Sequence, residues 1–189
     1  MSPWMQSAQN RAQTLGEIFP ALADLLAYVA VEFDFERTLP GPTGELNRLR
    51  SEPRGSFIFM SDDGDSDNYR AYVAMALLTG NMICLVDNPD LAARLTLGGV
   101  PDAAVYQAKD LGAAWKTPRV SGVAYSGPRD NARALNREIA ARDGGILQFV
   151  WRDAIDPHLA LRFVTERTLT INTAAIGGNA DLLGIGGGR

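Results

Sequence analysis

The chain has 189 residues, 46% hydrophobic and 21% charged, with 19 glycines and 10 prolines, which excludes collagen-like, coiled-coil and generally disordered chains. At this length one domain with an appendage buries about 70% of the surface that its unfolded chain exposes, so neither disulfides nor metal are needed to hold it. Eighteen Lys and Arg against 22 Asp and Glu give a net charge of −4, and without basic runs this balance lacks the footprint of nucleic-acid or anionic-membrane binding. Cys84 is the single cysteine, which permits no internal disulfide and fits a reducing compartment. The first ten residues carry no basic side chain and no signal-peptide pattern. The most apolar stretch, residues 19–33, is too short to span a bilayer and is cut by Pro20, Asp24 and Glu32. A cytoplasmic protein with no membrane insertion is expected.

Leu15, Ile18, Leu22, Leu25, Leu26, Val29 and Phe33 recur at three- and four-residue steps, which predicts an amphipathic helical arm bent or restarted at Pro20. In residues 39–45 two prolines and two glycines stop both helix and strand and predict a structured turn. Thereafter short apolar runs alternate with helical patterns. Strands are expected over 57–60, 82–86, 103–106, 120–125 and 146–150, with helices over 67–78, near 89–95, and after Pro128 up to a stop at Gly144-Gly145. Apolar strands separated by helices are what a parallel sheet requires, because each parallel crossover takes a dozen or so residues. The fold class is therefore α/β, a Rossmann-like, mostly parallel sheet flanked by helices. After a short helix near 156–164, residues 167–173 alternate polar and apolar with Leu169 and Ile171 on one face, an extended strand that Gly177-Gly178 ends. With no crossover to return it to the sheet, this strand is expected to be an exposed edge that docks elsewhere. The expected organisation is a helical arm or connection over 1–38, a Pro/Gly-rich turn over 39–54, the α/β core over 55–165, and a C-terminal β-flap over 166–189.

Chemistry is sparse. A dinucleotide pyrophosphate needs glycines and positive potential after the first core strand, but that loop reads Ser61-Asp62-Asp63-Gly64-Asp65-Ser66-Asp67, four carboxylates and one glycine. The same run lacks EF-hand spacing and a closing Glu, so its acids are read as helix caps on a solvated loop. Cys84 lies in an apolar run and reads as a small buried hydrophobe. His158, the only histidine, sits at a helix start and reads as a surface or capping residue. Arg48, Arg50 and Arg54 read as salt-bridged surface, and Trp4, Trp115 and Trp151 as packing residues. No catalytic, cofactor-binding or metal residue is assigned.

Two stretches carry a resemblance. Leu39-Pro40-Gly41-Pro42-Thr43-Gly44-Glu45-Leu46-Asn47 resembles the turn that follows the aldehyde dehydrogenase module in the proline utilization A family, bifunctional bacterial proline-catabolic flavoenzymes. Residues 167–183, including Asn172, Thr173, Gly177, Gly178 and Asn179, resemble the motif that closes that family's C-terminus. The resemblance spans about residues 39–185 and implies a C-terminal domain with an aldehyde-dehydrogenase-like Rossmann fold and no catalytic role. Its terminal strand would form a flap on the dehydrogenase module, with Leu169, Ile171, Asn172, Thr173, Gly177, Gly178 and Asn179 as interface and lid candidates. The family's FAD and NAD belong to upstream modules, and no cofactor is expected in this segment. The implied partner is an aldehyde dehydrogenase module of the same or another polypeptide, with homo-oligomerisation also open. Alternatives from other classes are a freestanding NAD-dependent dehydrogenase and a small-ligand-binding module.

Overall fold

The computed structural model describes residues 7–32, 36–42, 44–151 and 154–172. It divides into two compact units, one formed by residues 1–34 with 52–165 and the other by 35–51 with 166–189.

The larger unit is built on a five-stranded parallel sheet. Its strands are β3 (Ser56–Ser61), β4 (Met82–Val86), β5 (Val105–Ala108), β6 (Val120–Ser126) and β7 (Gln148–Val150), in the spatial order β5-β4-β3-β6-β7. The central register sets Ile58 beside both Cys84 and Val123. Phe57, Ile58 and Phe59 are all fully buried, as a strand with helices on both faces demands. Side-chain alternation then splits the core in two. Phe57, Phe59, Ile83 and Leu85 face one layer, and Ile58, Cys84, Val123 and Tyr125 face the other.

The first layer contains α1 (Ala8–Ile18), α2 (Ala23–Glu32), α3 (Asp67–Leu78) and α4 (Pro89–Leu97). Leu15, Phe19, Leu26 and Val29 are buried in the same cluster as Phe57 and Phe59, and the Arg11 Nε donates to the Leu78 carbonyl at 2.7 Å. The helices expected as an arm are thus one side of the α/β layer. A 3-10 helix, Pro157–Arg162, adds Leu159 and Ala160 to this layer, and Phe163 follows it there, edge-on to Phe57 at 4.9 Å between ring centroids. The second layer is α5 (Leu111–Ala114) and α6 (Arg129–Ala140), with Ala132, Leu135 and Ile139 inward. Pro128 is the N-cap of α6, and the helix ends at Ala140, before Gly144 takes φ +118°. Gly122 meets a steric demand: a Cβ there would run into the Phe57 ring and stand 2.6 Å from the Gln148 carbonyl oxygen. The strand expected over 103–106 begins two residues later, after a 3-10 turn over Asp102–Ala104.

Asn81, buried at the start of β4, ties the ends of this unit together. Its side-chain oxygen accepts from the Gly55 N–H at 3.0 Å, and its amide donates to the Phe163 carbonyl at 2.9 Å. The Arg54 N–H donates to the same carbonyl at 3.3 Å.

The smaller unit is a three-stranded sheet of β1 (Glu36–Leu39), β2 (Glu45–Pro53) and β8 (Val164–Asn172), in the order β1-β2-β8. β1 and β2 are antiparallel, with Glu36 opposite Arg50 and Thr38 opposite Arg48. Of the segment expected as a Pro/Gly-rich turn over 39–54, residues Glu45–Pro53 are strand. β8 starts at Val164, ahead of the expected residue 167, and lies at one edge of the sheet as anticipated.

Candidate functional site

In a doubly wound sheet, ligands sit beyond the carboxyl ends of the strands, where the strand order reverses. Here that point lies between β3 and β6, which β4 and β7 flank. Two loops meet there, Ser61 to Ser66 after β3 and Ser126-Gly127-Pro128 after β6.

The acidic loop stays exposed but bonds across this crevice. The Tyr125 hydroxyl, at the end of β6, donates to the Asp62 carboxylate at 2.5 Å, and the Asn131 amide from α6 donates to the same oxygen at 2.8 Å. The Ser66 and Ser126 hydroxyls pair at 2.9 Å. The Ser61 hydroxyl donates to the Gly64 carbonyl at 2.6 Å, which closes the loop on itself. Gly127 makes room for this arrangement, since a Cβ there would overlap the Tyr125 hydroxyl. On the loop's far side Asp65 accepts from Arg70 at 3.0 Å and from Arg94 at 3.3 Å, and Arg94 in turn lies over the Phe19 ring, 5.2 Å from its centroid.

Electrostatics follow the geometry. The hydrogen bonds from Tyr125 and then Asn131 hold the Asp62 carboxyl below its ordinary range. Burial, and after it the bond to Asp62, pushes the Tyr125 hydroxyl up. The Arg70 hydrogen bond lowers Asp65 in the same way. Ser66 alone caps α3, its hydroxyl accepting from the Tyr69 N–H. The loop is solvated as expected, its four acids all exposed, but they are not the helix caps: Asp62 and Asp65 accept side-chain hydrogen bonds from the surrounding elements. The Asp62 carboxylate stands where a pyrophosphate needs N–H donors, and the loop does not fit that group.

The other sequence-predicted residues are scattered. Leu169 and Ile171 lie on β8, 48% and 39% exposed, and Asn172 ends that strand. Thr173, Gly177, Gly178, Asn179 and Trp4 lie outside the described residues. Cys84 is buried against the second layer, and burial pushes its thiol up. His158 is exposed, its N–H held by the Asp156 carboxylate at 2.8 Å. Arg48 pairs with Glu36 at 2.9 Å, Trp115 packs under Arg142, and the Trp151 indole N–H donates to the Gly127 carbonyl. No group of three or more His, Cys, Asp or Glu that could hold a metal ion exists among the described residues, and none of their helices is long and apolar enough to cross a membrane. Sequence reasoning missed Tyr125, Asn131 and Ser126, which lie sixty or more residues from their loop partners and leave no local signal.

Comparison with known proteins adds to this geometry. No family model matches the chain. The bifunctional protein PutA of Escherichia coli K12 is 33% identical over 153 residues, 80% of this chain and 11% of that protein. PutA of Salmonella typhimurium is 32% identical over 173 residues, 88% of this chain and 13% of that protein. The chain thus spans about an eighth or less of the curated relatives it matches. Among solved structures, proline utilization A of Bradyrhizobium japonicum superposes with a TM-score of 0.62 at 26% identity, over 78% of this chain and 20% of that one. An NAD-dependent benzaldehyde dehydrogenase from Corynebacterium glutamicum, at 16% identity and TM-score 0.55 over 79% of this chain and 42% of its own, shares the fold. The chain is homologous to a segment of the bifunctional PutA proteins, on an α/β fold it has in common with the aldehyde dehydrogenases.

Proposed function

We propose that the chain is a noncatalytic C-terminal structural and lid domain of a bifunctional proline-catabolic enzyme. In this reading, proline dehydrogenase and glutamate-semialdehyde dehydrogenase modules elsewhere in the polypeptide convert proline to glutamate, and they hold the FAD and NAD. The three-stranded ribbon docks on the aldehyde dehydrogenase module and helps cover the route by which the intermediate passes between active sites. The observation that carries the proposal is the exposed Asp62 carboxylate, bonded to Tyr125 and Asn131 at the β3–β6 crevice where a dinucleotide phosphate would need N–H donors, in a protein homologous to PutA. A freestanding NAD-dependent dehydrogenase would need that crevice for its cofactor.

A lid excludes water and retains a reactive intermediate, so its loss changes transfer between sites more than the chemistry at either one. In an intact enzyme carrying this segment, deleting residues 173–183 should lengthen the lag before NADH appears from proline while the proline-oxidising half-reaction stays near normal. A folded, assembled deletion variant with no added lag would reduce the domain to a stabilising role.

A further inference from the structure

Aspartate is followed by glycine twice in the chain, at Asp63-Gly64 and at Asp143-Gly144, and both pairs lie in exposed loops. An aspartyl carboxyl can close a ring on the next peptide nitrogen, and a glycine there leaves the approach uncrowded and the backbone free to turn. The two loops differ in how they hold that peptide. At the first pair the Ser61 hydroxyl spans it, accepting from the Asp63 N–H at 3.2 Å and donating to the Gly64 carbonyl at 2.6 Å. The Ser126 hydroxyl also lies 3.4 Å from the Asp63 carboxylate. At the second pair no such brace exists. Residues 141–146 are all exposed between α6 and β7, and a Cβ on Gly144 or Gly145 would meet no atom within 4 Å. Arg142 is anchored over the Trp115 ring, 3.6 Å from its centroid. Among the described residues, Asp143 and Gly144 make no hydrogen bond or ion pair, so the carboxyl and the Gly144 nitrogen are free to meet.

We infer that Asp143 is a site of spontaneous isomerisation to isoaspartate in the folded protein, and that the product is open to an S-adenosylmethionine-dependent repair methyltransferase. The Gly144 nitrogen attacks Cγ of the Asp143 carboxyl in its protonated form. The C–N bond forms as the Cγ–OH bond breaks, and the hydroxyl leaves with the amide proton as water. Water then adds back to the succinimide. Opening at Cγ restores aspartate, whereas opening at the main-chain carbonyl leaves a free α-carboxylate and routes the chain through Cβ. The water lost is regained, so the change is an isomerisation that needs no oxidant or reductant. Because nothing packs on Gly144 or Gly145, the loop takes up the extra main-chain atom without displacing α6 or β7.

The test incubates the 189-residue chain at neutral pH and physiological temperature, and separates the isobaric aspartyl and isoaspartyl peptides by reversed-phase chromatography with mass detection. Methyl groups accepted from S-adenosylmethionine, with a protein-isoaspartate methyltransferase as the probe, give a second readout. In the folded chain Asp143 should isomerise at least about tenfold faster than Asp63, since ring closure at Asp63 must first release the Ser61 bonds. In concentrated urea, where both loops are free, the two rates should converge. Ser61→Ala should speed the reaction at Asp63 and leave Asp143 unchanged. Asp143→Glu, which would have to close a larger ring, should remove most of the methyl acceptance of the folded chain. Equal rates at the two sites in the folded chain, or methyl acceptance undiminished by Asp143→Glu, would overturn the inference.

Discussion

Tyr125 and Asp62 form a bond that both low and high pH should break. The carboxyl is held below its ordinary value of 3.8 by the Tyr125 and Asn131 hydrogen bonds, so its stabilising effect is complete above 3.8 and is lost as pH falls through the lower folded value. The hydroxyl is raised above its ordinary value of 10.0 by burial and then by Asp62, so its contribution is complete below 10.0 and is lost as pH rises toward the higher folded value. Tyr125→Phe should therefore cost about 1 kcal/mol near neutrality, discounted for the exposure of Asp62. Urea melts across pH should show that difference shrinking at both extremes, and a pH-independent difference would mean that lost packing dominates. Asn81 has no such tolerance. Its amide meets the Phe163 carbonyl while its oxygen takes the Gly55 N–H. Asn81→Ala strands the Gly55 N–H and leaves the Phe163 carbonyl only the Arg54 N–H, and an equilibrium melt should lose about 1 to 3 kcal/mol.

Among the elements, α1 and α2 decide how the larger unit is built. Leu15 and Leu26 are at most 1% exposed, in one cluster with Phe57 and Phe59. Leu15→Ala should cost about 2 to 5 kcal/mol in a chemical melt, as a filled core position does. Removing residues 1–34 should abolish the cooperative transition, which a mere connecting arm would not do. The sequence shows that these helices have an apolar stripe, because periodicity reports that a face is buried, but it does not show against what. The strands over 57–60 and 82–86 and the helix over 67–78 were legible for a stronger reason: apolar runs buried on both faces leave continuous hydrophobic stretches bounded by polar turns. β1 and most of β2 were not, since Glu36, Arg37 and Thr38 stay exposed and their pairing follows from a ribbon rather than a core. α5, four residues long, has no period to read. At the crevice the acidic loop was plain in composition, whereas its partner Tyr125 is 63 residues from Asp62 and reads locally as one more apolar strand residue.

For the whole molecule, the crevice and the division into two units make separate predictions. A ligand at a hundred times its dissociation constant stabilises a folded chain by about 2.7 kcal/mol, which raises the melting temperature of a chain this size by roughly 5 to 11 °C. Thermal melts with and without millimolar NAD+ should coincide within about 1 °C, and a shift of the larger size would establish a cofactor site in this chain. Truncation before Thr168 should leave the larger unit's cooperative transition in place, since that unit's sheet and both of its core layers are complete without β8 past Thr165.

The clasp at Asn81 also orders events in time. β1 and β2 pair across a short turn and can form early, but Thr170 and Asn47 are 123 residues apart in sequence. Closing so long a loop is slow until the intervening chain has brought its own ends together, and here Gly55 and Phe163 meet only once β3, β4 and the last 3-10 helix are in place. β8 therefore joins the ribbon last, and the three-stranded sheet comes into being only on a finished core. On the docking reading proposed above, a nascent or misfolded copy would offer a partner nothing to grip, and association itself would select for chains that have completed their folding.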